Sequence, residues 1–573
     1  MKINLSRFFA VFAAAVLLLS PAFFRQVSAQ SSANAPRAFA ITNARIVTAS
    51  GADIERGTII VRDGLIVALG AGNVQVPVDV RVIDASGLTV YPGIIDASAS
   101  TGIPAPRPTQ QAGGGGGQNV AQFLQQQQQA QQQSQAQSNS AYPAGLQPEI
   151  TAAELIRASD SSIETARNSG FTTVLVVPRE RIFQGQSALI NLSGETAGEA
   201  IVRAPVALHL TFTPLQAGQF PTSLMGSFAA VRQMFLDAQQ LQLAQTNYEK
   251  NPRGARRPDS NKSLEALFPY LYRQGPGQAP VVFQANTERE IARVLNFARE
   301  FNLKAIIAGG AESGRFAEQL KAQDIPVLLS LNFPRRTSST SPEADPESMS
   351  VLRARAEAPK TAARLAAAGV RFAFQSGGMA NYTDFWANAG RSVQAGLARP
   401  AAIRAMTLGS AEIFGVADRM GSIEPGKIAN LTVVRGDIFD RARTVTHVFV
   451  DGRMYEIPAA APTTTGGGGA ANAAAQAIAG KWNLTMQLGG QTVQATLTLT
   501  PQRNQLAGQF ESTLGSAPIS QGEMTAEGFR FVVKLTVGEQ VDAVFAGRVT
   551  ENQMSGTVTT PQGTSSFTGT KTP

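Results

Sequence analysis

The side chains best suited to gripping a catalytic metal, or to activating a hydroxyl nucleophile, are scarce in this chain. It has two histidines, His209 and His447, and no cysteine. Imidazoles and thiolates hold zinc and its first-row neighbours, and a serine nucleophile needs a base beside it. Zinc–thiolate sites, disulfides and lipid attachment through an N-terminal cysteine are therefore excluded. His209 falls in the apolar run Val206-Ala207-Leu208-His209-Leu210, where an imidazole is expected to be a satisfied core or loop residue. Four carboxylates, Asp96, Glu195, Glu312 and Asp384, stand near the ends of expected strands. Their spacing matches no oxygen-ligand loop for Mg²⁺ or Ca²⁺. Asp96 is expected to make a structural hydrogen bond, and the other three to face solvent. Neither a Gly-x-Ser-x-Gly elbow nor a phosphate-cradling glycine loop occurs.

The elements that would position these residues can be read from the hydrophobic rhythm. Residues 39–91 alternate apolar and polar with Asp63-Gly64 and Ala85-Ser86-Gly87 turns, which predicts a small β unit. It ends in Tyr91-Pro92-Gly93-Ile94-Ile95-Asp96. Residues 105–140 hold a pure glycine run and a glutamine-rich tract, which cannot bury a core and predict a disordered surface insertion. From 150 to 415, amphipathic stretches (152–169, 288–301, 356–368) alternate with short apolar runs (172–177, 305–308, 327–329, 370–374). Helix and strand repeating in this way predict a parallel sheet and, over this length, a closed (β/α)₈ barrel. The stretch 223–261 reads as a helical, polar insertion. Residues 416–457 return to short strands, so both flanks of the barrel, 39–91 and 416–457, are expected to build one β-sandwich at its side. A linker, 458–478, leads to 479–573, where six strand-like runs recur evenly and predict a separate all-β barrel or sandwich. Trp482 would either stack on a sugar or cap that barrel, and the cap is favoured.

The N-terminus reads as an export signal. Lys2 and Arg7 precede a twelve-residue apolar run, 8–19, and Val27-Ser28-Ala29 offers a small-residue cleavage site. As a helix that run would rise about 18 Å, short of the roughly 30 Å of a bilayer core. A periplasmic or secreted chain, cleaved after residue 29 and with no stable membrane span, is expected. The formal net charge is +8, and Lys2, Arg7 and Arg25 fall in the leader, leaving +5. That is modest, and no basic run interleaves with aromatics, so nucleic acid is not an expected partner.

At both ends of the expected barrel the sequence resembles the amidohydrolase superfamily, especially its secreted, imidazolonepropionase-like members. Asp84-Ala85-Ser86-Gly87 and Pro92-Gly93-Ile94-Ile95-Asp96 resemble the family's lead-in to the barrel. Ala411-Glu412-Ile413-Phe414-Gly415, Met420-Gly421-Ser422-Ile423-Glu424-Pro425-Gly426-Lys427 and Asn430-Leu431-Thr432-Val433-Val434 resemble its closing segment. The likeness spans about residues 39–457, with specific motifs at the ends and a diffuse middle. Gly185–Leu192 and Ser223-Leu224-Met225-Gly226 fit it and carry no chemistry.

The resemblance implies a metal-activated water attacking a carbonyl-like carbon. It also implies which positions should hold the metal, and all five that can be placed are substituted here. The His-x-His pair of the first strand is Ser98 and Ser100. The fifth- and sixth-strand histidines are Gln284 and Gly309, and the aspartate after the eighth strand is Gly377. Hydroxyls are poor ligands for first-row metals. No catalytic residue, metal or cofactor is therefore assigned. The fourth-strand position, where many relatives carry a carbamylated lysine, is not aligned. Three functions stay open: a non-catalytic binding or partner subunit, assembling as a homo- or hetero-oligomer with a related amidohydrolase; a hydrolase of carbon–nitrogen bonds with an atypical site; and an envelope or carbohydrate binder acting through 479–573.

Overall fold

The computed structural model describes residues 38–104, 142–335, 347–457 and 478–572, save for short stretches within them. The expected export signal, the segment 105–140, nearly all of the expected linker and Glu195 lie outside the described residues. The chain divides into two compact units, Met1–Ala459 and Ala460–Pro573.

In the first unit, both flanks meet in one sheet. Strands β1 (Ala38–Ile46), β2 (Ile54–Arg62), β3 (Leu65–Ala71), β4 (Arg81–Asp84) and β5 (Leu88–Pro92) come from the N-terminal flank. Strands Leu431–Arg435, Thr444–Val450 and Arg453–Glu456 come from the other flank, and Leu431–Arg435 joins β5 antiparallel, Leu431 opposite Pro92. Ile41, Ile59, Val61, Val90, Leu431 and Phe449 form its buried face. Gly93 links this sheet to the barrel. A Cβ there would lie 2.3 Å from Thr172 Oγ1, so only glycine fits. Asn430 ties the same corner by donating to Thr173 Oγ1 (3.1 Å) and Asn191 Oδ1 (2.8 Å). Its Oδ1 accepts from the Asp451 amide at 2.8 Å.

The barrel follows in β6 (Ile94–Ala99), β7 (Phe171–Val176), β8 (Phe183–Gln186), β9 (Ala188–Asn191), β10 (Ile201–Arg203), β11 (Leu208–Thr211), β12 (Val281–Ala285), β13 (Ala305–Gly309), β14 (Val327–Ser330) and β15 (Phe372–Gln375). Most neighbours are parallel, and β7 is buried along its whole length, as a strand covered on both faces should be. One run departs from the expected all-parallel order. The run β8–β9 is antiparallel to both β7 and β11. Only six residues, 177–182, separate β7 from β8, too few for the crossover that a parallel return requires. The run also straddles two sheets, β9 in one and β8 in the other. The seam between the first and last strands is held by single contacts: Ser376 N to Asp96 Oδ1 (2.9 Å) and Gly377 N to Ser98 O (3.2 Å).

Helices clothe the outside. Glu288–Glu300 starts with a reciprocal capping box between Thr287 and Glu290 and buries Ile291, Val294, Leu295 and Ala298 at helical spacing. Leu224–Lys250, capped by Ser223, occupies much of the expected insertion. Two expected helices are broken. Residues 152–169 form Ala152–Leu155 and Ser161–Asn168, because the Asp160 carboxylate caps a fresh start at Ser162 N. Within 356–368 a 3₁₀ turn, Ala358–Lys360, contains Pro359, which has no amide to continue the ladder.

The barrel interior is layered. Ile95, Ala97, Leu175, Leu189, Val282, Ile306, Leu328 and Ala373 make an apolar layer with Ala411, Phe414, Val416 and Met420 of the closing segment. Two residues further along several strands the inward positions turn polar: His209 after Ala207, Gln284 after Val282, Ser330 after Leu328, Gln375 after Ala373.

The second unit is a closed barrel of eight antiparallel strands, from Gly480–Leu488 to Gly563–Lys571, in which the last pairs with the first. Two strands, Gly515–Thr525 and Gly563–Lys571, have no counterpart among the six expected runs. Their Gly, Ser and Thr content hides the apolar alternation. Trp482, Phe510, Phe531, Phe545 and Phe567 fill the interior. Trp482 is fully buried and donates from its indole N–H to Ile478 O (2.9 Å), so it is not available to stack on a sugar.

Candidate functional site

The polar layer opens into a cavity of about 540 Å³ at the C-terminal ends of the barrel strands, the end where barrels of this kind carry their sites. Its size suits a small organic ligand. Ser98, Ser100, Gln284 and Gly377 line it, so four of the five positions singled out by the resemblance share one space. The fifth, Gly309, sits beside it in a left-handed conformation (φ +90°). A Cβ there would lie 2.2 Å from Asn286 Oδ1 and 2.8 Å from Gln284 Nε2. Two carboxamides thus occupy the volume that a side chain from β13 would need.

Other residues join them. His209 lines the cavity, only 2% exposed, and its Nε2 has no hydrogen-bond partner among the described residues. Burial pushes its pKa down to about 3, so the ring is neutral. Gln375 is anchored by Nε2 donating to Leu328 O at 2.7 Å. Ser330 Oγ accepts from Asn332 N at 3.1 Å. Val177, Pro178, Leu329, Phe333 and Pro334 supply apolar wall, and no described lining residue is Asp, Glu, Lys or Arg.

Asp96 lies behind the cavity, wholly buried. It accepts from Ser376 Oγ (2.5 Å), Ser376 N (2.9 Å) and Ser98 N (3.2 Å). Burial raises its pKa to about 6 against the pull of these bonds. Tyr382, whose hydroxyl lies 3.2 Å from Thr101 Oγ1, has its pKa raised by burial and then by the nearby Asp96 charge.

The remaining candidates sit elsewhere. His447 is on the strand Thr444–Val450 of the side sheet, with Nδ1 3.1 Å from Thr446 Oγ1. Asp384 opens the helix Tyr382–Gln394 and pairs with Arg335. Glu312 accepts from Glu288 N at 2.6 Å.

The donors around the cavity do not fit a zinc-type ion. They are hydroxyls, carboxamides and one imidazole, whereas such ions take several imidazoles, thiolates or carboxylates. Among the described residues no three His, Cys, Asp or Glu side chains gather as a metal site would require.

Comparison with known proteins places the scaffold. Residues 344–455 match the model of the amidohydrolase family. The solved structure of an amidohydrolase from Thermotoga maritima MSB8 superposes with a TM-score of 0.58 at 22% identity, over 73% of this chain and 100% of that one. The family match is confined to the C-terminal part of the barrel and its side sheet, and the superposition shows that the first unit has the amidohydrolase fold. A putative prolidase from Bifidobacterium longum aligns more loosely (TM-score 0.41, 15% identity, 73% of this chain and 94% of that one). No curated protein matches by sequence. The residue whose place in the cavity sequence reasoning did not give is His209. Its burial fits the core expectation, but it faces the cavity. The available signal was its phase: Ala207 and His209 alternate on one face of a strand.

Proposed function

We propose that this amidohydrolase-superfamily protein, exported by its N-terminal signal, has given up metal-dependent hydrolysis and uses the barrel mouth to bind. The carrying observation is the pair of carboxamides, Gln284 and Asn286, filling the space beside Gly309. A histidine restored at 309 would have to displace both. Carboxylate chemistry offers no substitute. Asp96, buried and not part of the cavity lining, is committed to Ser376 and to the Ser98 amide, and general-base action needs a carboxylate within reach of the substrate.

The test is metal analysis and turnover on the purified mature chain. No stoichiometric Zn, Mn or Fe and no hydrolysis of amide, lactam or dipeptide substrates is expected, with or without added metal. Restoring Ser98→His, Ser100→His, Gln284→His and Gly377→Asp together is expected to leave tight zinc binding absent. One equivalent of zinc retained by the unaltered chain, with turnover that a chelator abolishes, would overturn the reading.

A further inference from the structure

We infer that the barrel mouth takes an uncharged ligand presenting a hydrogen-bond donor and acceptor side by side, as a carboxamide or lactam does, read by Gln284, Asn286 and the imidazole of His209. This rests on the binding role proposed above and adds the chemistry of what is bound.

Charge decides the first half. None of the described residues lining the cavity is ionised, and the imidazole is neutral. Burying an ion without a partner is costly, so a carboxylate, phosphate or ammonium ligand finds nothing here to repay its lost hydration. Asp96 is the nearest buried acid, and its oxygens are taken.

Hydrogen-bond chemistry decides the second half. A carboxamide carries donor and acceptor in one plane and so matches another planar amide group by group. Gln284 and Asn286 converge on the space beside Gly309, where Gln284 Nε2 and Asn286 Oδ1 are the nearest atoms. No side-chain hydrogen bond to a described residue commits either. His209 Nε2 is buried, faces the same cavity and has no partner among the described residues. A buried nitrogen of that kind is expected to meet a partner, and a ligand group can be that partner. Phe333 is the one aromatic among the described lining residues, so the paired ring faces that commonly sandwich a sugar are not there.

Three related probes of different charge separate the alternatives on the full mature chain: neutral N-acetylalaninamide, anionic N-acetylalanine and cationic alaninamide, with N-acetylglucosamine as the sugar control. Binding is read by saturation-transfer NMR titration. The neutral diamide is expected to bind at least tenfold more tightly than either charged analogue or the sugar. Gln284→Leu and Asn286→Ala are each expected to weaken it at least fivefold without lowering the thermal midpoint. His209→Phe, which keeps the ring and removes both nitrogens, is expected to do the same. Equal binding of all probes, preference for a charged probe or the sugar, no binding of the diamide, or indifference to all three substitutions would overturn the inference. Each of those results leaves the absence of metal turnover standing, whereas a zinc-dependent activity strikes the function proposed above instead.

Discussion

The chain contains two barrels that fill their interiors in opposite ways. The C-terminal barrel is solid: Trp482, Phe510, Phe531, Phe545 and Phe567 occupy its axis. The first unit's barrel is solid only in its lower layer and keeps amides, hydroxyls and an imidazole above it. Apolar filling maximises burial, while a polar layer around a cavity gives up contacts and leaves groups such as His209 Nε2 unsatisfied. The first barrel therefore buries its apolar contacts in its lower half, and its upper half is the part to which the proposed recognition role falls.

Substitutions can break or sharpen that contrast. The largest effect is expected from Trp482→Ala, which empties the core of the closed barrel at about 3–5 kcal/mol. It should be read as loss of that unit's unfolding transition in calorimetry. Next comes Asp96, whose carboxyl is pushed by burial from the ordinary 3.8 up to about 6. Its protonated form is favoured by folding, so its contribution is fully present below about pH 4 and is lost as pH rises through about 6. That amounts to about 3 kcal/mol. Denaturant titrations between pH 4 and 7 should show the fall, and Asp96→Asn should flatten it. His209→Leu removes a buried, unpaired ring nitrogen and is expected to stabilise by about 1 kcal/mol. Gln284→Leu should change stability by no more than about 0.5 kcal/mol. A large loss from either substitution would mean that the upper layer is structural after all.

How far these features could be read beforehand differed by the kind of signal. The Pro92-Gly93 lead-in and Asn430 are legible because sterics and a buried amide network leave those positions few alternatives. The second barrel is legible from strand rhythm, except where Gly and Ser dilute it. The reversal of β8–β9 is not legible from apolar runs, which carry no direction. It is set by the shortness of the 177–182 link. The mouth is partly legible: Ser98, Ser100, Gln284 and Gly377 follow from motif positions and fall in one cavity. His209, Asn286 and Gln375 carry no motif, and strand phase alone brings them there.

The crowding around Gly309 has a historical consequence. With Asn286 Oδ1 2.2 Å from where a Cβ would stand, a single mutation to an imidazole meets a steric clash rather than an empty socket. Accommodating it would need several coordinated changes, and each intermediate would carry an overpacked mouth. If the proposed binding role holds, descendants of this lineage are expected to diversify what they bind far more readily than to acquire a metal site.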